Sequence, residues 1–423
     1  MKTMKIPSGW KLCKQSDVST FYNGRAYKLS EWETEGTPVI RLQNLTGTGN
    51  EYYYSNLKLP EHQYANNGDL LYMWSATFGP KIWQGEKAIY HYHIWKVVCK
   101  DDLLDQSFMY YNLDFITESM KSKTNGSTML HFTKKGMEEH EILLPPLAEQ
   151  QKIAEVLSTV DKKIDLIDQK IAETEKLKTG LMQKLFSEGV GVQGENGEWQ
   201  PHTEFQYDSL LGKKPKSWQT ETLGNILDIA SSKRIKREEY VNEGVPFYRS
   251  KEIILKSKQL SFTPEIFISR ERFDKLSEKF GSPQQGDILI SAVGTIGAIY
   301  RVRDEEFYFK DGNLLWIRNI DKSGLSSEFL ECYFRSYLCQ EMLANLSAGS
   351  SQNALTIVKL SKLPLIIPTK DEQKMIVSII SSINEKIYLL KAQKSETQQL
   401  KKGLMQKLLT GEWRVPVEET EAA

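Results

Sequence analysis

The side chains with the clearest chemistry in this chain are cations, amides and hydroxyls, the groups that bind and read rather than react. Ser231-Ser232-Lys233-Arg234-Ile235-Lys236-Arg237 is the densest basic run. Hydroxyl donors beside Lys and Arg suit phosphate oxygens, and an Arg also matches the O6 and N7 acceptors of guanine in a major groove. The corresponding stretch early in the chain is Asn23-Gly24-Arg25-Ala26-Tyr27-Lys28. For any single Lys in these runs, such as Lys28, Lys233 or Lys236, a solvated surface position is the competing reading. Arg41 with Asn44, and Arg249 with Lys251, follow strand-like segments, where a structural ion pair competes with DNA contact. Asn125-Gly126-Ser127-Thr128 and Ser350-Ser351-Gln352-Asn353 are polar loops, either amide base readers or turns. Lys81 and Thr295 complete the set of candidate DNA contacts.

Catalytic patterns are missing by comparison. No glycine-rich loop ends in Gly-Lys-Ser/Thr, and Gly294-Thr295-Ile296-Gly297 is too short for a dinucleotide fingerprint, so it reads as a tight turn. His91 and His93 share one face of a strand pattern but have no third ligand to make a metal site, and structural placement is favoured. His140-Glu141 lacks the second His of a metalloprotease helix, and no Ser stands in a Gly-x-Ser-x-Gly context. Pro145-Pro146 has no preceding Asn or Asp to hold a target amine, so it reads as a rigid joint. Cys13, Cys99, Cys332 and Cys339 form no Cys-x-x-Cys pair, and neither a disulfide framework nor a zinc site follows. No catalytic residue and no bound metal or cofactor is expected.

Composition narrows the class. The 423 residues carry 55 Lys+Arg and 55 Asp+Glu, a formal net charge of zero. Neutrality argues against coating nucleic acid by bulk charge and limits how tightly the chain alone would bind it. Local basic patches remain compatible with it. Apolar residues at 40% and aromatics at 10% are enough to build real cores, which excludes wholesale disorder. The N-terminal residues lack an apolar h-region, and no apolar run approaches bilayer length. A cytoplasmic protein with no membrane association is the expectation.

The elements that would carry the candidate residues are repeated. Residues 149–186 align with 372–409 at an offset of 223, without a gap and with 17 of 38 positions identical. Upstream the likeness is weaker but in order. Pro7-Ser8-Gly9-Trp10 matches Pro215-Lys216-Ser217-Trp218, Pro38-Val39-Ile40-Arg41 matches Pro246-Phe247-Tyr248-Arg249, and Gly68-Asp69-Leu70-Leu71 matches Gly286-Asp287-Ile288-Leu289. The chain is two copies of one unit, a globular part followed by a helix. Divergent globular parts on similar helices imply a shared job for the helices and different jobs for the globular parts.

The helices carry a heptad seam. Ile153, Leu157, Val160, Ile164, Ile167 and Ile171 step by four and three, as do Ile376, Ile380, Ile383, Ile387 and Leu390. The first seam weakens at Thr174 and Lys178, where Leu177, Leu181 and Leu185 are read as taking over the stripe; Leu404 occupies the matching end of the second helix. Mutual pairing of the two helices is the favoured reading. Strands are expected near 38–42, 69–74, 93–98, 287–291 and 314–318, and helices over 106–120 and 326–346. The expected fold class is α+β, with two tandem mixed α/β domains, each followed by a long helix. The boundaries are 1–146 for the first domain, 147–189 for the central helix, 190–206 for a Gly-rich linker, 207–369 for the second domain, 370–414 for the distal helix and 415–423 for a disordered acidic tail.

Taken together, Pro7-x-Gly-Trp10 and Pro215-x-x-Trp218, the Gly-Asp-Leu/Ile-Leu blocks, Gly294-Thr295-Ile296-Gly297, Leu144-Pro145-Pro146-Leu147-x-Glu149-Gln150 and the paired Gly-Leu-Met-Gln-Lys-Leu helix ends resemble the specificity subunit of type I restriction–modification systems. The likeness spans nearly the whole chain. It departs at Ser75-Ala76-Thr77-Phe78-Gly79-Pro80, where the second copy has its Thr-Ile-Gly turn, and at Pro368-Thr369-Lys370-Asp371, which replaces Pro-Pro-Leu. The resemblance implies that each globular part is a target recognition domain reading half of a bipartite, asymmetric site on double-stranded DNA. It implies an antiparallel coiled coil with pseudo-two-fold symmetry that sets the spacer between half-sites. It also implies two modification subunits, which hold S-adenosylmethionine and methylate adenine, and restriction/translocase subunits, which use ATP and Mg. The chain itself would catalyse nothing. A scaffold joining two ligand-binding domains, without DNA, is the alternative class.

Overall fold

The computed structural model describes residues 6–123, 133–348 and 354–417. The chain forms two compact units, residues 1–169 with 392–423, and residues 170–391. Each contains one globular body and a stretch of both long helices, Leu147–Ser187 and Lys370–Leu409.

In the first unit, Ser19–Asn23, Ile94–Cys99, Leu70–Ser75 and Thr77–Ile82 form a four-stranded antiparallel sheet. A second sheet of four short strands includes Thr37–Ile40 running parallel to Ala88–Tyr90. Lys11–Lys14 pairs with Glu141–Leu144, tying the start of the globular body to the segment that enters the helix. The second unit repeats this construction. Asp228–Ala230, Leu314–Arg318, Ile288–Ser291 and Ile299–Arg301 form one sheet, Val245–Tyr248 runs parallel to Tyr308–Phe309 in the other, and Gln219–Thr222 pairs with Pro364–Ile367.

The repeated Gly-Asp blocks have a backbone reason. Gly68 and Gly286 have φ of +93° and +91°, a conformation that a Cβ disfavours. The Asp that follows accepts from the amide three residues back, Asp69 from Asn66 at 2.7 Å and Asp287 from Gln284 at 2.9 Å. Each turn thus launches one of the two inner strands of its sheet.

The cores join sheets to helices. In the first unit Phe21, Leu70, Tyr72 and Phe108 pack with Ile153 and Leu157 of the first long helix and Met405 and Leu408 of the second. In the second unit Ile288, Ile317, Phe329 and Tyr333 pack with Met182, Leu185, Ile376 and Ile380. Each such side chain, fully buried, contributes about 1.5–3 kcal/mol, so the helices belong to the cores.

The helices pair antiparallel within each unit. In the first, Lys401 lies 2.8 Å from Asp161 and Lys394 lies 2.6 Å from Asp168, one number falling as the other rises. In the second, Lys391 lies 2.7 Å from Glu175. Ile153, Leu157, Ile167, Ile171, Ile376, Ile380 and Ile387 are buried, and Val160, Ile164, Leu181, Ile383, Leu390 and Leu404 are half-buried.

Two sequence expectations need correction. Leu177 does not take over the seam: it is 55% exposed, and the half-buried positions are Thr174 and Lys178. The buried side of the helix keeps its heptad step even where the residue there is polar, so position outranks hydropathy. The helix expected over 326–346 is two, Ser327–Arg335 and Tyr337–Ser347, because Ser336 turns extended and caps the second by accepting from the Cys339 amide. Within the Gly-rich linker Val192–Gln193 pairs with Trp199–Gln200, and at its end Phe205–Asp208 pairs with Gly212–Pro215. Beyond the second helix, Val415 packs partly buried against the first unit's core. Residues 418–423 lie outside the described residues.

Candidate nucleic-acid interface

Any recognition surface here depends on how each globular body is held on its helices, and both bodies are held by one device. The Trp10 indole N–H donates to Glu149 Oε2 at 3.0 Å, and the Trp218 indole N–H donates to Glu372 Oε2 at 2.8 Å. Both carboxylates are buried in the first turn of a long helix, where the helix dipole favours negative charge. A buried carboxylate needs further donors. Glu149 receives two from Arg414, at 2.6 and 2.8 Å. Glu372 receives the Val190 and Gly191 amides and stands 2.9 Å from His202 Nε2. Gly189 is required beside it, since its φ is +72° and a Cβ would come within 2.3 Å of Glu372 Oε1.

The next residue completes each joint. Gln150 accepts from the Asp105 amide and donates to the Leu103 and Pro145 carbonyls, each at 2.9 Å. Gln373 does the same with the Ser326 amide at 2.9 Å and the Gly324 and Pro368 carbonyls at 3.3 and 3.0 Å. The sequence displays Glu-Gln as a repeated pair without revealing this role, because the indoles are 139 and 154 residues away.

The outward faces differ. On the first unit Tyr27, Trp32 and Tyr53 lie in ring contact, with Tyr27 also stacked 6.5 Å from His91. His91, Tyr92 and His93 contact one another, and Tyr92 and His93 contact Trp74. The Arg41 guanidinium lies 4.7 Å from the Tyr53 ring centroid. This aromatic band presents π-faces and ring nitrogens, which suit stacking and polar contacts. Burial, then His93 and Arg41, pushes the His91 imidazole down to about 4. Of this band the sequence offers Tyr27 and Arg41 as DNA contacts; the other members are new, and the run His91-Tyr92-His93 is the only local signal for them.

The candidate residues of the first unit are unequal. Arg25 is ion-paired with Glu31 at 2.6 Å and lies over Tyr27. Among the described residues the Tyr27 hydroxyl is buried without a hydrogen-bond partner, and burial raises its pKa. Lys28 and Lys81 are exposed. Asn44 is committed locally: it accepts from the Arg41 amide at 2.8 Å and donates to the Gly49 and Glu51 carbonyls.

On the second unit the basic run alternates. Ser232 and Ile235 are buried, while Lys233, Arg234 and Lys236 are exposed. Lys233 lies 4.7 Å over the Phe280 ring, and Lys236 is 3.3 Å from Glu238. Arg249 takes the structural role: it holds Glu252 at 2.6 Å and Glu265 at 2.8 Å, and Lys251 holds the other oxygen of Glu265 at 2.8 Å. Arg41 and Arg249 therefore occupy matched strand ends but face different neighbours. Thr295 is exposed on a turn made by Gly294 and Gly297, with φ of +74° and +82°. Asn125, Ser127, Ser351 and Gln352 lie outside the described residues.

The repeated architecture coincides with a repeated family match. The model of the type I restriction modification DNA specificity domain matches residues 7–176 and again 215–399. The chain belongs to this family. Among relatives, the type I restriction enzyme MjaVIII specificity subunit of Methanocaldococcus jannaschii is 28% identical, over 98% of this chain and 95% of its own length. The EcoBI specificity subunit of Escherichia coli is 23% identical, over 90% of this chain and 80% of its own. Among solved structures, a chain from a study of complex assembly and conformational transition of the type I R-M system superposes with a TM-score of 0.62 at 18% identity, covering 97% of this chain and 100% of that one. The S subunit from M. genitalium gives 0.52 at 17% identity, covering 97% and 98%. These likenesses carry the fold. As a type I specificity subunit, the chain has two tandem α/β domains and an antiparallel helix pair. Among the described residues no helix is long and apolar enough to cross a membrane.

Proposed function

We propose that this specificity subunit directs a type I restriction–modification complex to a bipartite site on double-stranded DNA, each globular domain reading one half. The observation that carries the reading is the pair of matched joints, Trp10–Glu149 and Trp218–Glu372, which in each unit fix a chemically different face to that unit's stretch of the helices. Such a construction suits two unlike half-sites at a set separation. The helices set the spacer and, with adjacent surfaces, dock two modification subunits; restriction/translocase subunits join through them.

Recognition in the first domain draws on the aromatic band with Arg41, and in the second on Lys233, Arg234 and Lys236. Chemistry belongs to the partners, with S-adenosylmethionine held by the modification subunits and ATP and Mg used by the restriction subunit. Because every segment of the chain is near neutral, the isolated subunit binds DNA weakly and the assembled complex tightly. The test is co-expression with the neighbouring modification subunit, followed by mapping of methylated adenines. A single bipartite motif supports the reading. Methylation without a shared motif, or independent of this chain, overturns it.

A further inference from the structure

The two halves of the helix pair carry a buried-side lysine at matched positions, Lys178 and Lys401, and only one of them is neutralised within its unit. In the first unit Lys401 Nζ stands 2.8 Å from Asp161 and 3.4 Å from Asp114, and 5.4 Å from the Tyr111 ring centroid. Tyr111 donates its hydroxyl to the other oxygen of Asp161 at 2.9 Å. Although burial opposes it, these carboxylates raise the Lys401 pKa above its usual value.

The same register in the second unit puts Lys178 at the lysine position and Asn384 at that of Asp161, at the offset of 223. The domain helices align through the amides bound by Gln150 and Gln373, those of Asp105 and Ser326. That alignment puts Arg335 where the first unit has Asp114, and Cys332 where it has Tyr111. Both carboxylates are therefore lost and a guanidinium is gained. Nearby acids are already engaged: Glu331 serves Arg301 at 3.0 Å and Arg335 at 3.2 Å, and Glu175 serves Lys391 at 2.7 Å. Among the described residues Lys178 has no ion pair. Burial, then Arg335, pulls its pKa down. Lys178 lines a cleft of about 1170 Å³ in which Lys178, Lys258, Arg301, Arg303, Arg335 and Lys391 outnumber Glu175, Glu328, Glu331 and Glu385.

We propose that this cleft of the second unit docks an acidic segment of a partner protein, one of whose carboxylates takes on Lys178 the place that Asp161 and Asp114 fill on Lys401. The first unit names the chemistry, since the group that completes a buried-side lysine there is a carboxylate. The four glutamates in the lining disfavour a phosphodiester strand, which brings a negative charge at every residue, and admit an isolated Asp or Glu. The assignment does not depend on how the chain reads DNA.

A fluorescein-labelled hexaglutamate peptide titrated with the full chain at low salt tests it by anisotropy. Binding is expected, weakened at least ten-fold by K178Q and by N384D, the latter installing the internal carboxylate of the first unit. K163Q, which changes an exposed cation of the other unit, is expected to leave it unchanged. No binding by the wild-type chain, or binding indifferent to both variants, overturns the proposal. So does equal displacement by a single-stranded oligonucleotide of matched charge or by inorganic phosphate at the same concentration. If K178Q fails to fold, as judged by circular dichroism, N384D at its exposed position gives the answer alone.

Discussion

Trp218 and Glu372 are 154 residues apart and meet at 2.8 Å, the indole N–H on a carboxylate buried in the first turn of the second long helix. Trp10 and Glu149 repeat the contact in the other unit at 3.0 Å. Each joint holds one globular body on the first turn of its own long helix, and under the proposed function it would hold that unit's recognition face there. The joint is therefore the first place to perturb.

Replacing Glu372 by Ala removes the acceptor of the Trp218 indole and of the Val190 and Gly191 amides, leaving buried donors unpaired. Hydrogen bonds to a charged group are worth about 1.5–3 kcal/mol each, and unpaired donors add their desolvation cost. E372A is expected to destabilise the second unit by about 3 kcal/mol or more, and W218F by about 1–2 kcal/mol, measured as shifts in urea midpoint. Equal, negligible shifts would mean that the joint is not structural.

The corrected seam makes a paired prediction. Ile171 is 9% exposed and Leu177 is 55% exposed. I171A should cost about 2–4 kcal/mol, as for a buried large-to-small change, and L177A less than about 0.5 kcal/mol. Thermal denaturation of the two variants separates the readings, and a larger loss from L177A would restore the stripe expected from hydropathy.

His91 predicts a pH dependence. Its folded pKa is down at about 4, against an ordinary value of 6.5, chiefly because of burial. Between those values the unfolded chain binds a proton that the folded chain refuses, so folded stability falls as pH drops from about 6.5 toward 4. H91F should flatten that part of the stability–pH curve of the first unit. A curve unchanged by the substitution would contradict the assignment.

Arg41 and Arg249 test the division of labour. R41A is expected to lower methylation efficiency through one half-site, with little change in stability. R249A frees Glu252, a buried carboxylate, and Glu265, and so should both destabilise the second unit and impair the other half-site. Methylation of substrates altered in one half at a time distinguishes them. Equal loss at both halves from R41A would indicate an assembly defect instead.

What was legible in the sequence was whatever repeats or has a local period. The heptad steps of Ile153 through Ile171 and the duplicated helix ends specify two similar helices, and the Gly-Asp blocks mark the turns into the central strands. What was not legible depends on partners far along the chain. Glu149 and Glu372 look like solvated first-turn acids until their indoles arrive from 139 and 154 residues away. Arg249 has the same strand-end position as Arg41, and only the fold brings Glu265 to it. The Gly-rich stretch after the first helix reads as linker because its order comes from hairpin pairing and from Glu372, not from its own composition.

Under the proposed function the helix pair fixes the separation of two half-sites. Inserting one heptad after Lys170 and one after Lys391 preserves the seam and lengthens the pair by about 10 Å, about three base pairs at 3.4 Å each. Adenine methylation would be mapped in cells carrying the modification subunit with either the wild-type or the lengthened chain. The expected result is the same two half-sequences with a spacer longer by about three base pairs. An unchanged spacer with full methylation would mean that the helix pair does not set the separation.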